Sequence, residues 1–398
     1  MGGTTATAIA RPSVETRWVG VGKAGPMDAG DAGARAADEA VRAGSPKLLV
    51  VFASDAFDAD ALLGGISSVA PGVPLVGCST AGEIAGTGPG DAGVVVLALG
   101  GSGFSVATTA SDAGVDLRVA GESVARCADD VRDRPHRVLL LLTDGLAGDQ
   151  QEVVRGAYSV VGAEVPLVGG CAGDDLKMAS TLQFHGRDVH RGAVVGAAIG
   201  SDAPFGIGVH HGWQRVGEPM LVSASEGNRV LFLDDEPALD VYLRGLGAPE
   251  EAHHDPAAFT RFAITHPLGL QRRSGEEVRF VAGADFADRS LICVAHLPEG
   301  GLTWFMDGDA ESVLSATDSA CAGAVGQLGD APPIGMVAFD CIARRGVLGQ
   351  SGIQDEVARI ARHAAGAPVA GFYTYGEIAR MGGMGGFFNQ TLVVLALA

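Results

Sequence analysis

The sequence predicts an α/β protein: layered mixed sheets assembled from repeated strand-helix-strand-loop-strand units and divided into two modules. Three observations predict it. Short apolar runs without polar alternation are the mark of strands buried on both faces. The same succession of runs returns three times along the chain, and a Pro-x-x-Gly element holds the same place in each copy.

The first copy opens on Lys47 to Asp55, continues through a helix-compatible stretch to Val73-Pro74-Leu75-Val76-Gly77, and closes after a polar loop on Val94 to Leu99. The second repeats this with Arg137 to Asp144, a helix, Val165-Pro166-Leu167-Val168-Gly169, a loop and Val194 to Ile199. The third runs from Met336 to Asp340, through a helix around Asp355 to Ala365, to Ala367-Pro368-Val369-Ala370-Gly371, a loop and Leu392 to Ala398. Proline at the start of a strand costs little, because no ladder hydrogen bond is lost there. The glycine three residues on suits close backbone packing. Between the second and third copies the pattern changes. Pro219 to Ser225 and Arg229 to Leu233 read as strands, and Glu236 to Leu243 reads as a helix with Leu239, Tyr242 and Leu243 on one face. Gly247 to Asp255 reads as a surface linker. The expected division is therefore an N-terminal segment over 1–45, a first module over 46–245 and a second over 246–398.

Composition narrows the function. The chain has 398 residues, 47% hydrophobic and 19% charged, which is the balance of a folding chain. Lys and Arg total 28 against 47 Asp and Glu, a formal charge of −19. Nucleic-acid binders present a basic face, so neither nucleic acid nor an anionic membrane surface is an expected partner. Sixty glycines, roughly twice the ordinary ~7%, recur at fixed places and look positional. No apolar run approaches the ~18 residues of a membrane span, so no membrane insertion is expected. Met1 to Arg11 lacks a basic region ahead of an apolar one and is not read as a secretory signal. Six cysteines without a Cys-x-x-Cys pair argue against a zinc site or a disulfide framework. A reducing cytoplasm is the expected location, with no metal site.

The loops after the Pro-x-x-Gly strands carry the polar chemistry. They read Cys78-Ser79-Thr80-Ala81-Gly82-Glu83, Gly170-Cys171-Ala172-Gly173-Asp174-Asp175 and Phe372-Tyr373-Thr374-Tyr375-Gly376-Glu377. Aligned without a gap, an acid falls at one position three times: Glu83, Asp175 and Glu377. Ligands of α/β folds gather past the carboxyl ends of strands, so these loops are candidate walls of a small-molecule pocket. The structural alternative is that each acid caps a turn or pairs with an arginine.

These loops, with His211-Gly212-Trp213, Glu226-Gly227-Asn228 leading to Pro237 to Tyr242, and Phe388-Asn389-Gln390-Thr391, together resemble the FIST family over residues 46–398, in both its N-terminal and C-terminal modules. The resemblance implies a sensory role in intracellular signal transduction, found in bacteria, with a bound small molecule such as an amino acid. It implies a separate signalling protein, such as a histidine kinase, as partner, since no residues follow Ala398 for an output domain. The expected ligand-binding residues are Cys78, Ser79, Thr80, Glu83, Asp174, Asp175, His211, Thr374, Tyr375, Glu377 and Asn389. No catalytic residue and no cofactor is expected.

Two rival readings stand beside this one. Some family members are haem-binding nitric-oxide sensors that regulate a histidine kinase, and here His211 beside Trp213 is the residue that would serve as axial ligand. Alternatively, Cys78 in its glycine-rich turn is an enzyme nucleophile. No Gly-x-Ser-x-Gly, His-Glu-x-x-His or phosphate-loop motif supports the enzyme.

Overall fold

The computed structural model describes residues 16–112, 114, 116–272 and 275–398. Met1 to Arg11 lies outside the described residues, and with it the reading of that segment. The α/β class and the layered mixed sheets are as expected, but each repeat is longer than its sequence pattern. A complete unit is strand, helix, strand, helix, strand, hairpin, strand.

The first unit comprises β1 (Trp18–Ala24), α1 (Ala29–Ala40), β2 (Pro46–Ser54), α2 (Ala59–Val69), β3 (Leu75–Thr80), the hairpin β4 (Glu83–Ala85) and β5 (Gly88–Gly90), and β6 (Val94–Gly100). The second comprises β7 (Phe104–Asp112), α3 (Leu117–Ala125), β8 (His136–Asp144), α4 (Gln150–Val161), β9 (Leu167–Ala172), the hairpin β10 (Gln183–His185) and β11 (Asp188–His190), and β12 (Ala193–Ser201). The third opens with β13 (Phe205–His210) and is then interrupted. The insertion holds β14 (Gln214–Glu226), β15 (Arg229–Leu233), β16 (Glu236–Pro237), α5 (Ala238–Gly245), α6 (Pro256–Ala263), β17 (Leu268–Arg272), β18 (Gly275–Arg279), β19 (Val281–Asp285), β20 (Ser290–Cys293) and β21 (Leu302–Asp307), whose strands form one sheet. The third unit resumes with α7 (Ala310–Gly326), β22 (Gly335–Cys341), α8 (Ile342–His363), β23 (Val369–Thr374), the hairpin β24 (Glu377–Met381) and β25 (Met384–Phe388), and β26 (Leu392–Leu397).

The leading strand and helix of each unit escape a reading by apolar runs for physical reasons. The buried face of α1 is Ala32, Gly33, Ala36, Ala37 and Ala40, with no large side chain to mark its period. Strand β7 is half-buried along most of its length. Gly247 to Asp255 is likewise more than a surface linker: it contains a 3-10 turn over Glu250–His253 with Ala252 buried, and Asp255 caps α6. Six of the eight described helices begin on such an aspartate, whose carboxylate accepts a first-turn N–H. Each cap contributes about 1 kcal/mol and accounts for part of the acidic composition.

The Pro-x-x-Gly element is structural in all three units. The carbonyls of Pro74, Pro166 and Pro368 accept from Leu49, Leu139 and Met336, each at 2.9 Å. A Cβ on Gly77, Gly169 or Gly371 would stand 2.4, 1.9 or 2.1 Å from the carbonyl oxygen of Val51, Leu141 or Ala338 on the neighbouring strand. Any larger residue would push the parallel strand pair apart.

What the sequence pattern marks as a loop is a hairpin given away to another unit. The three principal sheets run β1-β6-β2-β3-β10-β11, β7-β12-β8-β9-β24-β25 and β13-β26-β22-β23-β4-β5. The second unit's hairpin completes the first sheet, the third's completes the second, and the first's completes the third. The exchange closes a ring, and the units are related by a pseudo-threefold arrangement. Inward faces of all three sheets share one core, where Phe52, Phe339 and Phe372 meet with ring centroids 4.7 to 6.3 Å apart. Helices cover the outward faces. No described helix is long and apolar enough to cross a membrane.

Because Phe52 touches both other rings across two sheets, Phe52→Ala is expected to destabilise the whole ring of units, by about 3–5 kcal/mol. A denaturant melt should show a lowered midpoint in one transition, and a loss confined to the first unit would contradict the shared core.

Candidate functional site

The three polar loops meet where the exchanged hairpins leave their own units. Ala81 N–H donates to the Tyr373 carbonyl at 3.0 Å and Tyr373 N–H returns to Gly82 at 2.8 Å. Cys171 N–H donates to Gly376 at 2.8 Å, Tyr375 N–H to Cys171 at 3.1 Å, and Gly173 N–H to Ser79 at 3.0 Å. The Ser79 hydroxyl donates to the Gly173 carbonyl at 2.8 Å and accepts from Leu182 N–H at 2.9 Å. The structure thus brings together Cys78, Ser79, Thr80, Glu83, Asp174, Thr374, Tyr375 and Glu377 as a buried hub.

Within the hub two acids have the same task. Thr80 Oγ1 donates to Glu83 Oε1 at 2.6 Å while Glu83 Oε2 accepts from Gly93 N–H at 2.9 Å, just ahead of β6. Thr374 Oγ1 donates to Glu377 Oε1, and Glu377 Oε2 accepts from Thr391 N–H at 3.2 Å, just ahead of β26. Each carboxylate clasps the departing hairpin to the returning strand. Both are at most 1% exposed. Burial pushes Glu83 up to about 7 and Glu377 up to about 8, against the hydroxyl and backbone donors that pull them down.

The third clasp is Gln183, not Asp175. Gln183 heads β10 as Glu83 heads β4, pairs with Cys78 as Glu83 pairs with Phe372, and its Oε1 accepts from Ala193 N–H at 3.0 Å. Its Nε2 donates to Thr181 Oγ1 at 3.0 Å. The gapless alignment misplaces the position because the second loop is longer. Counting back from the last strand finds it: Gln183 and Ala193 are ten residues apart, as are Glu83 and Gly93.

Asp174 organises that longer loop. Its carboxylate accepts from Tyr375 Oη at 2.5 Å and from the N–H groups of Met178, Ala179 and Ser180 at 3.0, 2.7 and 2.9 Å. Burial opposes the charge, but these donors outweigh it and hold the carboxyl below its ordinary value. Tyr375 Oη also accepts from Leu176 N–H at 2.6 Å. The chain between is strained: Asp175, Leu176 and Met178 have φ of 54°, 62° and 51°. Left-handed backbone costs a non-glycine residue roughly 1–2 kcal/mol.

Asp175 itself points away from the clasps, onto the rim of a cavity of about 350 Å³. Leu176, Ile264, Phe280, Ile342 and Ile353 give it apolar walls, and Arg345 supplies a guanidinium. Arg345 in turn reaches the hub: Nη1 donates to the Ala81 carbonyl at 2.7 Å, Nη2 pairs with Asp91, and the guanidinium lies 5.1 Å from the Tyr373 ring centroid. Sequence reasoning missed Arg345, whose only signal is its place just after β22. Asn389 is buried near the end of β25, its carbonyl accepting from Thr391 Oγ1 at 2.8 Å and its Oδ1 without a partner.

His211 stands apart from the loops and belongs to an anchor. Trp213 N–H donates to His211 Nδ1 at 3.0 Å, so the ring proton of the neutral imidazole sits on Nε2, which faces Glu276 Oε1 at 3.7 Å. Burial lowers its pKa to about 4, keeping the ring neutral. An axial ligand needs a bare Nε2, so His211 in this setting does not fit haem iron. Trp213 Nε1 donates to the Gln390 carbonyl at 3.0 Å and Arg344 to the His211 carbonyl at 3.0 Å, tying the insertion to the third unit. Cys78 is fully buried, and burial with the neighbouring Cys171 raises its thiol well above the ordinary value. Both effects disfavour the thiolate that a nucleophile requires. Among the described residues no group of three or more His, Cys, Asp or Glu side chains is arranged to hold a metal ion.

Residues 47–236 match the FIST N domain and residues 238–380 the FIST C domain. The chain belongs to the FIST family. FIST domains are associated with sensory signal transduction. The chain is also similar to an uncharacterized protein of Methanocaldococcus jannaschii, 23% identical over 291 residues that cover 67% of this chain and 56% of that protein. The two FIST matches adjoin inside the insertion, between β16 and α5, so the third unit of this FIST protein draws its first strand from one matched region and its elements from α7 to β23 from the other, while β25 and β26 lie beyond both.

The clasp acids make stability fall with alkalinity. Folded Glu83 and Glu377 hold protons up to about pH 7 and 8, whereas unfolded glutamates release them near the ordinary value of 4.5. Between those limits the unfolded state binds fewer protons, so stability declines as pH rises. Glu83→Gln and Glu377→Gln copy the arrangement of Gln183. Each is expected to fold, and to flatten the decline in melting temperature between pH 5 and about 8. A decline as steep as in the parent would exclude the clasps as its source.

Proposed function

We propose that this FIST protein senses a small zwitterionic metabolite with an apolar side chain, of the amino-acid class, in the cavity between Asp175 and Arg345. The observation that carries the reading is the pairing of opposite charges across an apolar cavity of about 350 Å³, within the usual range of small-ligand pockets. The Asp175 carboxylate would hold an ammonium group and the Arg345 guanidinium a carboxylate, while Ile264, Phe280 and Ile353 take the side chain. Burying that apolar group supplies affinity, and the two charges supply selectivity.

The cavity also touches what would have to move. Arg345 is bonded to the Ala81 carbonyl, and Leu176 is held through Tyr375, so both walls connect to the hub by one hydrogen bond each. The strained residues Asp175, Leu176 and Met178 have backbone energy to release on rearrangement. Leu176 and Met178 are 60% and 61% exposed beside the cavity. They offer an apolar contact through which a separate signalling protein, such as a histidine kinase, would read the loop.

A thermal-shift screen with leucine, isoleucine and phenylalanine tests the reading. A ligand at about 100 times its Kd stabilises the fold by about 2.7 kcal/mol, whereas the matching amine or N-acetyl acid, each missing one charge, should act weakly. Asp175→Asn, at an exposed position, is expected to lower affinity about 10- to 150-fold without loss of stability. Equal binding by Asp175→Asn, or no response to any amino acid, would sink the proposal.

A further inference from the structure

A second cleft, of about 400 Å³, lies where the insertion meets the second unit. Its walls come from three separate stretches: the start of α4, the β24–β25 hairpin that the third unit lends to the second sheet, and the insertion around β18 and the residues after β20. Arg155, Arg279 and Arg380 all line it, one from each stretch, with His296 at the insertion side. Such convergence stands out in a chain with a formal charge of −19 and only 28 Lys and Arg.

The two carboxylates in the lining are engaged. Asp149 caps α4, accepting from Gln151 N–H at 3.0 Å, and Glu277 pairs with Arg279 at 2.7 Å. Arg155 meets Glu152 across one helical turn and is half-exposed, so solvent weakens that pair. Arg380 is held in place without a carboxylate: its guanidinium lies 3.9 Å from the Tyr158 ring centroid, and Nη1 donates to the Gly385 carbonyl at 2.8 Å. Its Nε is buried with no partner. A guanidinium oriented by stacking and by one backbone acceptor, and not by a carboxylate, is pre-organised for an oxyanion. The glycines at 383 and 385, with φ of 85° and 91°, keep the hairpin backbone close and leave the cleft open.

We propose that this cleft binds a small metabolite bearing a doubly charged oxyanion, a dicarboxylate or a phosphate monoester, between Arg380 and Arg155. The proposal is independent of the Asp175 and Arg345 cavity, with which it shares no lining residue. Such a ligand would bridge α4 of the second unit to the hairpin that the third unit lends it, against the insertion as the facing wall.

The test is titration of the full chain with inorganic phosphate and, separately, with succinate, at constant ionic strength set with sodium chloride. One of the two should raise the melting temperature saturably, and which one does so assigns the oxyanion. Arg380→Gln and Arg155→Gln should each weaken that binding about 10- to 150-fold, while Arg380→Lys, keeping charge but not the planar fork, should fall between. Asp175→Asn should leave it unchanged, which separates this site from the amino-acid reading. Arg155 is on the surface of α4, so its variant keeps the question answerable if Arg380→Gln fails to fold by circular dichroism. A stabilisation that rises with anion concentration and never saturates, no response to either anion, or undiminished binding by Arg155→Gln would each overturn the proposal.

Discussion

No principal sheet of this protein is finished by its own unit, and that constraint governs the rest of the molecule. A sheet ending at β3, β9 or β23 would leave an open edge, which is prone to pairing with other chains. Each edge is instead covered by a hairpin from the next unit around the ring. The chain must therefore leave its own sheet immediately after the parallel strand, cross to a neighbour and come back. The polar loops are these crossings, and their small residues, hydroxyls and acids satisfy backbone groups that no sheet ladder can reach. Glu83, Gln183 and Glu377 stand at the equivalent point of departure, and each holds an N–H at the entry of the returning strand.

The third unit departs from this symmetry in its interior. The strand position occupied by Ala53 in β2 and Thr143 in β8 is Asp340 in β22, and beneath the helices it meets Arg344 at 2.6 Å. Arg344 also binds Glu356 at 2.6 Å and Thr317 at 2.9 Å, all fully buried. Two carboxylates against one guanidinium would leave a net buried charge, which is costly. Burial and Glu356 push Asp340 well above the carboxylate range while Arg344 pulls it down. A proton on Asp340 both neutralises the cluster and supplies the donor that Asp340 Oδ2 and Glu356 Oε2 lack. Arg344 spends a further N–H on the His211 carbonyl, at the point where the insertion begins. The unit that carries the insertion is thus the one stiffened by a polar network.

Much of the framework was legible because its signals are local. Pro74, Pro166 and Pro368 mark a strand start, and Gly77, Gly169 and Gly371 mark a close approach, from sequence spacing alone. The hydroxyl and acid of Thr80 and Glu83, repeated at Thr374 and Glu377, stood out for the same reason. Which sheet receives a hairpin is a long-range matter that no local pattern records, so the exchange was not legible. Gln183 was hidden by the length of its loop, and α1 by a packing face of alanine and glycine. Arg345 and Arg380 were silent because an arginine has no periodicity, and what it touches depends on which chain segments fold against it.

Placement of the insertion decides how the two cavities relate. One wall of each is built from the ring of units, clamped by the hub and the lent hairpins. The opposite wall of each is the insertion. Glu277 and Arg279 line the cleft near α4, and Phe280, the next residue, lines the cavity near Asp175. Neighbouring side chains of an extended chain project to opposite sides, so one four-residue segment faces both spaces. A shift of that segment would change a wall of both spaces at once. Were both proposed ligands to bind, coupling through it would be reciprocal by thermodynamic necessity. The insertion is anchored to the ring by Trp213 and Gln390, the latter donating to the Ile264 carbonyl at 2.9 Å, and those contacts lie on the third unit. The segment over 277–280, away from those anchoring contacts, is the part of the insertion that lines both spaces.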